Sequence, residues 1–226
     1  MPSSAGERIP VIVGPTAVGK TAVAIRVAEE LGCEIVSVDS RQIYRELDIG
    51  TAKPTTDERA AVPHHLIDVA EPTERFSAAM FQRAADAAVD GIRARGETPL
   101  LVGGAGLYLR AFLDGLFEGP PAHQDIRDRL RDEAAETGNA ALHARLAAVD
   151  PVAAHRIHPN DMLRLVRALE VYEITGKPIS TLQNQWESGA PRVKAALVGL
   201  RRPRETLNRR ANARIKAMMA AGLLGE

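Results

Sequence analysis

The chain has 226 residues, 45 % of them apolar, which is enough for one sizeable core or a core carrying an insertion. Its 29 basic and 29 acidic side chains balance, so a general polyanion sink is excluded, although a local basic groove for nucleic acid is not. A single cysteine, Cys33, excludes a disulfide framework and fits a reducing cytoplasm; no apolar run is long enough to span a membrane, and the polar residues 1–8 do not read as a signal peptide.

The run Ile9–Val13 reads as a short buried strand and Thr21–Leu31 as an amphipathic helix. Between them lies GPTAVGKT, a full match to the phosphate-loop pattern in its required strand–loop–helix setting. Its residues are Gly14, Pro15, Thr16, Ala17, Val18, Gly19, Lys20 and Thr21. The glycines let successive N–H groups turn inward toward an anion, and the helix start adds a positive dipole end. Lys20 supplies a charge to the terminal phosphate, and Thr21 offers a hydroxyl to Mg²⁺. A diphosphate or triphosphate site is expected; the loop alone does not say which compound binds.

Further strand-like runs follow at Glu34–Val38, His65–Val69, Pro99–Val102 and Lys194–Leu200, with helical patterns between most of them. This alternation predicts an α/β fold, a parallel sheet with helices on both faces and ligands at the carboxyl ends of the strands. The second strand leads into Asp39-Ser40-Arg41-Gln42-Ile43-Tyr44, and the fourth into Gly103-Gly104-Ala105-Gly106-Leu107-Tyr108. With the phosphate loop, these are expected to line one crevice.

Asp39 is the sharpest single candidate. A carboxylate there could hold Mg²⁺ or take a proton from a nucleophile, or it could simply close an Asx turn. Gln42 could read an adenine edge, and Tyr44 could stack on a base or belong to the core. The glycine-rich turn at residues 103–106 allows close backbone approach to a ligand, and Tyr108 suits either core or contact. Phe76–Arg95, with Ser77 as N-cap and Gly96 as its stop, is a packing helix. His64, His65, His155 and His158 lack partners at zinc-ligand spacing.

From Gly119 the texture changes. Helical patterns run without strands to about Lys194: Gln124–Thr137, Asn139–Val149, a turn starting at Pro151, and Met162–Thr175 ending at Gly176. They predict an inserted helical subdomain at 119–189 within a catalytic core of 1–118 and 190–226. Arg164 and Arg167 share one side of the last of these helices, where they are either solvated or suited to a phosphate backbone. A final helix, about Arg204 to Ala221, carries Arg209, Arg210 and Arg214, which either face solvent or reach back to the anion in the loop. Gly225-Glu226 follows it with no polar cap in view.

Four strings in order, GPTAVGKT, SVDSRQIYRELDIGTAKP, LLVGGAGLYLRAF and DPVAAHRIHPNDMLRLVRALEVYEITGKP, resemble the tRNA dimethylallyltransferase (tRNA isopentenyltransferase) family from about Ile9 onward. The resemblance implies a P-loop kinase-like parallel sheet with an inserted all-helical, tRNA-binding subdomain. It implies transfer of a dimethylallyl group from dimethylallyl diphosphate to N6 of adenosine-37, in tRNAs reading codons that begin with U. By the same resemblance Lys20, Thr21 and Arg214 serve the diphosphate, with Mg²⁺ on Thr21, and Asp39 is the base. The Asp39–Gln42 stretch (Asp39, Ser40, Arg41, Gln42) lies at the target base. Ala105, Arg127, Leu163, Arg164, Leu165, Val166 and Arg167 fall where the family touches tRNA. Ala105 replaces the family's usual Thr or Ser, and the family continues for several dozen residues past Glu226. The partners expected are tRNA and dimethylallyl diphosphate, with no membrane and a monomeric, cytoplasmic protein. A small-molecule P-loop kinase and a truncated, inactive tRNA-binding chain are the alternatives.

Overall fold

The computed structural model describes residues 8–116, 119–183 and 191–226. The chain divides into two compact units, Met1–Leu116 with Pro191–Glu226, and Phe117–Ala190.

The first unit is built on five parallel strands: β1 (Ile9–Val13), β2 (Cys33–Val38), β3 (His64–His65), β4 (Thr98–Gly103) and β5 (Ala195–Gly199). Their spatial order is β3-β2-β4-β1-β5. The register puts Val13 beside both Gly103 and Gly199, and Val38 beside Gly103, so the strand ends that carry the loops lie side by side. Alternation along the strands fills two cores. Ile9, Val11, Val36, Val38 and Leu101 meet Phe81, Val89, Ile92 and Phe112. The last four come from α3 (Ala78–Ala94) and α4 (Gly106–Asp114). Ile12, Ile35, Leu100 and Val102 pack on Ala24 and Ala28 of α1 (Lys20–Leu31). Small residues on α1 let it lie close over the loop end of the sheet. A short α2 (Thr56–Ala61), absent from the elements expected above, starts with a full capping box between Thr55 and Glu58.

The expected strand His65–Val69 is cut to His64–His65. Leu66 and Asp68 take positive φ values of 61° and 58°, which no ladder accommodates. The segment instead donates from Asp68, Val69 and Ala70 to the carbonyls of Gln42 and Ile43, forming an irregular clasp on the loop after β2. Ser77 caps α3 by accepting from the Met80 N–H at 3.2 Å.

The second unit is helical: α5 (Gln124–Thr137), α6 (Asn139–Val149), α7 (Pro151–Arg156), α8 (Met162–Thr175) and α9 (Ile179–Leu182). Leu130, Leu142, Leu146, Leu165 and Leu169 form its core. Asp150 is buried; its Oδ1 accepts from the Ala153 N–H and its Oδ2 from the Ser180 N–H, tying the start of α7 to α9. After this unit Arg192 pairs with Asp86 and lies over the Phe112 ring, and the chain re-enters the sheet at β5. It ends in α10 (Arg204–Ala220). Among the described residues, no helix is long and apolar enough to cross a membrane.

Candidate functional site

The phosphate loop leaves β1 and enters α1 through Gly19, whose φ of 106° a side chain would oppose. Lys20 Nζ folds back over the loop and donates to Gly14 O at 2.9 Å and Pro15 O at 3.1 Å. Burial pulls the Lys20 ammonium below its usual pKa; Asp39 opposes that shift and Arg214 reinforces it. Lys20, Asp39 and Arg214 therefore share one electrostatic environment. Two more arginines brace the loop from outside. Arg202 Nε donates to Val18 O at 2.8 Å, and Arg210 Nε to Ala17 O at 2.7 Å. With both carbonyls engaged, the Ala17–Val18 peptides keep a fixed orientation. Arg202 carried no sequence signal, because a carbonyl partner 184 residues away leaves no local pattern.

A cavity of about 50 Å³ opens beside the loop, lined by Lys20, Thr21, Ser37, Asp39, Gln42, His64 and Gly103 among others. Asp39 sits one residue beyond β2. Its Oδ1 accepts from the Arg41 N–H at 2.8 Å and the Gln42 N–H at 3.4 Å, an Asx turn. Among the described residues, its Oδ2 takes no hydrogen bond, so the turn aims one oxygen and leaves the other available. Gln42 is held on all sides: Ser37 Oγ donates to its Oε1 at 3.1 Å, and its Nε2 donates to Thr51 O at 3.3 Å and Ala52 O at 3.1 Å. Its amide is thus committed to the protein, and a base contact through it must share or displace these bonds. His64, which has no partners at zinc-ligand spacing in the sequence, belongs to this cavity, and burial lowers its pKa.

A second cavity, about 450 Å³, lies on the other side of the loop. Val11, Val13, Val38, Leu109 and Leu197 give it apolar walls, and Gly14, Pro15 and the Gly103–Gly106 turn close it. Gly103 lines both cavities. Ala105 is half-buried on the apolar one, and its N–H, like that of Gly104, donates to Val38 O. Tyr108 is core: it stacks on Phe81 at 4.5 Å and donates to Phe76 O. Tyr44 is half-buried and bridges to Ala70, while Ser40 is half-buried and Arg41 exposed on the loop.

In the helical unit the proposed tRNA positions separate. Leu163 and Arg164 are exposed, the Arg164 side chain at 74 %, with Asp161 as its ion partner. Leu165 and Val166 are buried, so contact through their side chains is ruled out by core packing. Arg127 and Arg167 both bind the fully buried Glu170 carboxylate, at 2.8 and 2.7 Å, and Arg167 also donates to Pro120 O. These two guanidinium groups are structural partners first; only their remaining exposed edges can meet a phosphate.

Among the described residues, no group of three or more His, Cys, Asp or Glu side chains is placed to hold a metal ion. Thr21 and Asp39 offer one hydroxyl and one carboxylate in the same polar cavity. That oxygen-only pair is the kind of donor set a hard divalent cation takes.

A glycine-rich loop feeding a helix at the carboxyl end of a parallel sheet defines a phosphate-loop protein. Residues 42–226 match the family described as IPP transferase, and residues 7–71 match isopentenyl transferase. A tRNA dimethylallyltransferase of Anaeromyxobacter dehalogenans is 53 % identical over 219 residues, covering 97 % of this chain and 72 % of that protein. The crystal structure of a Bacillus halodurans tRNA isopentenylpyrophosphate transferase is 42 % identical, covers 97 % of this chain and 68 % of that one, and superposes with a TM-score of 0.63. A eukaryotic dimethylallyltransferase acting on tRNA, 28 % identical, covers 97 % of this chain and 55 % of that one, with a TM-score of 0.80. The chain belongs to the IPP transferase family.

Proposed function

We propose that this protein is a tRNA dimethylallyltransferase that moves the five-carbon group of dimethylallyl diphosphate to N6 of adenosine-37. The observation that carries this reading is the placement of the phosphate loop between a polar cavity and an apolar one that share Gly103. A diphosphate ester with a short hydrocarbon chain needs both. The valines and leucines of the larger cavity exclude water from the allylic carbon, while the loop amides, Lys20 and Arg214 take the charged end.

As the C1–O bond breaks, its electron pair stays on the diphosphate. Amides and cations already aimed at that position stabilise the growing charge without reorganising. Mg²⁺ at Thr21, when bound, would add Lewis-acid stabilisation to the same oxygens. The adenine N6 lone pair forms the new C–N bond, and Asp39 Oδ2 accepts the proton that N6 gives up. The Asx turn keeps Oδ1 occupied, so Asp39 presents its other oxygen. The adenine must leave the anticodon-loop stack, at a cost of a few kcal/mol that a shaped pocket offsets. Lys20, Thr21 and Arg214 are assigned to the diphosphate, and Asp39 and Gln42 to the adenine. Exposed residues of the helical unit, Arg164 first, are assigned to the tRNA backbone.

The test is incubation with unmodified tRNA carrying A37 and with labelled dimethylallyl diphosphate. Label on N6 of that adenosine is expected. Tighter binding of ATP than of dimethylallyl diphosphate, with no label on tRNA, would overturn the reading in favour of a small-molecule kinase.

A further inference from the structure

The site's adenine side depends on a turn, residues 46–53, that has little regular structure of its own. Glu46 and Ala52 take positive φ values of 61° and 51°. Two charged groups hold the turn. The buried Lys53 ammonium binds Tyr44 O, Asp48 and Asp68, each at 2.6 Å. The second group comes from the far end of the chain. Glu226 places its carboxylate over the turn, where Oε1 accepts from the Asp48 and Ile49 N–H groups at 2.6 Å each, and Oε2 from the Gly50 N–H at 2.8 Å. Three successive amides facing one anion form a nest. The nest holds the Glu226 carboxyl below the usual carboxylate range, through Gly50 and Ile49 first.

The next two residues, Thr51 and Ala52, supply the carbonyls that hold Gln42 Nε2. Gln42 in turn lines the polar cavity with Asp39 and accepts from Ser37. We propose that Glu226 is a positioning residue: by clamping the Asp48–Gly50 amides it sets the Thr51 and Ala52 carbonyls, and through them the Gln42 amide, beside Asp39. For the transfer reaction this rests on the adenine being bound on the Asp39–Gln42 side. Glu226 touches no reacting atom, and among the described residues its side-chain hydrogen bonds go to the Asp48, Ile49 and Gly50 amides and not to the phosphate loop.

The test uses the whole chain carrying Glu226→Ala, Glu226→Gln, Gln42→Ala, and the double change Glu226→Ala with Gln42→Ala. Amide hydrogen exchange, read without any substrate, comes first. Glu226→Ala is expected to speed exchange at Asp48, Ile49 and Gly50 about tenfold or more, as loss of a charge-assisted acceptor should. Glu226→Gln, which keeps an oxygen for two of the three amides and turns an N–H toward the third, should fall between. Unchanged exchange in Glu226→Ala overturns the proposal.

Kinetics comes second. Glu226→Ala should lower kcat/KM for tRNA about tenfold while the dissociation constant of dimethylallyl diphosphate stays within about twofold. The same change made on Gln42→Ala should have almost no further effect, because both act through one amide. Additive effects, or equal loss of diphosphate binding, would show a merely structural Glu226 and overturn the proposal. A wild-type chain that transfers nothing to tRNA refutes the transferase reading instead, and leaves the exchange result to decide the role of Glu226.

Discussion

Asp39 shows how one side chain can satisfy two readings at once. Its Oδ1 closes an Asx turn with Arg41 and Gln42, its Oδ2 has no hydrogen bond among the described residues, and the residue lines the polar cavity. The turn is what aims the base. Replacing Asp39 by Ala should lower kcat by about 10²- to 10⁴-fold, the usual contribution of a positioned general base. Isothermal titration of dimethylallyl diphosphate should meanwhile show little change. Equal loss of binding would make Asp39 a metal ligand or a structural cap. Asp39→Asn should be as inactive as Ala while keeping the turn, since an amide oxygen still accepts from both N–H groups.

At the scale of elements, β2 and β4 approach each other closely where the site begins. A Cβ built on Gly103 would lie 2.0 Å from Val38 O, and the N–H groups of Gly104 and Ala105 already donate to that same oxygen. Gly103→Ala must therefore push apart the strand ends that carry Asp39 and line both cavities. We expect a loss of about 1–3 kcal/mol in denaturant unfolding, as for overpacking elsewhere, and a larger relative loss of transfer activity. A variant that keeps full activity would show that the two strand ends need not be fixed.

The α5–α8 pair makes the complementary case in the helical unit. Glu170 has no exposed surface and binds Arg127, Arg167 and the His123 N–H. Glu170→Ala leaves two guanidinium groups uncompensated and should cost about 3 kcal/mol, the low end for a broken buried pair because both arginines keep some exposure. Burial pushes the Glu170 carboxyl up, but the arginine and amide hydrogen bonds outweigh it and leave its pKa lowered. A carboxyl with a lowered folded pKa contributes stability above its unfolded value, about 4.3, and loses it as pH falls through the folded value. The difference in melting temperature between wild type and Glu170→Ala should therefore be full at neutral pH and shrink in acid below that window.

At the scale of the whole molecule, zero net charge means tRNA is not drawn in by the overall field. Attraction must come from local arginines whose charge is not spent on the protein. Arg127 and Arg167 are spent on Glu170; Arg164 is the more open cation on α8. Arg164→Glu should raise the KM for tRNA about three- to tenfold, with most of the loss in KM because phosphate contacts position and do not react. An unchanged KM would move the tRNA contact elsewhere in the unit. Deep burial of Leu165 and Val166 already places that stretch of α8 in the core.

The sequence by itself determined the parallel α/β sheet, the phosphate loop and the family, because each is written in short local signals. Short, near-continuous apolar runs mark the strands, an eight-residue loop marks the anion site, and caps such as Ser77, Asp161 and Gly176 mark helix ends. The bounds read for Gln124–Thr137, Asn139–Val149 and Met162–Thr175 match the helices, since propensity and packing agree there. What only the tertiary structure decided is how groups distant in sequence meet. It cut the third strand to two residues, because the following segment clasps the loop after β2. It spent Arg127, Arg167 and the Gln42 amide on internal partners, and it brought Arg202, Arg210 and Glu226 back to loops near 180 or more residues away. Periodicity reports which face of an element is buried; it carries no information about which distant polar group will satisfy a carbonyl, an amide or a charge once the chain has closed on itself.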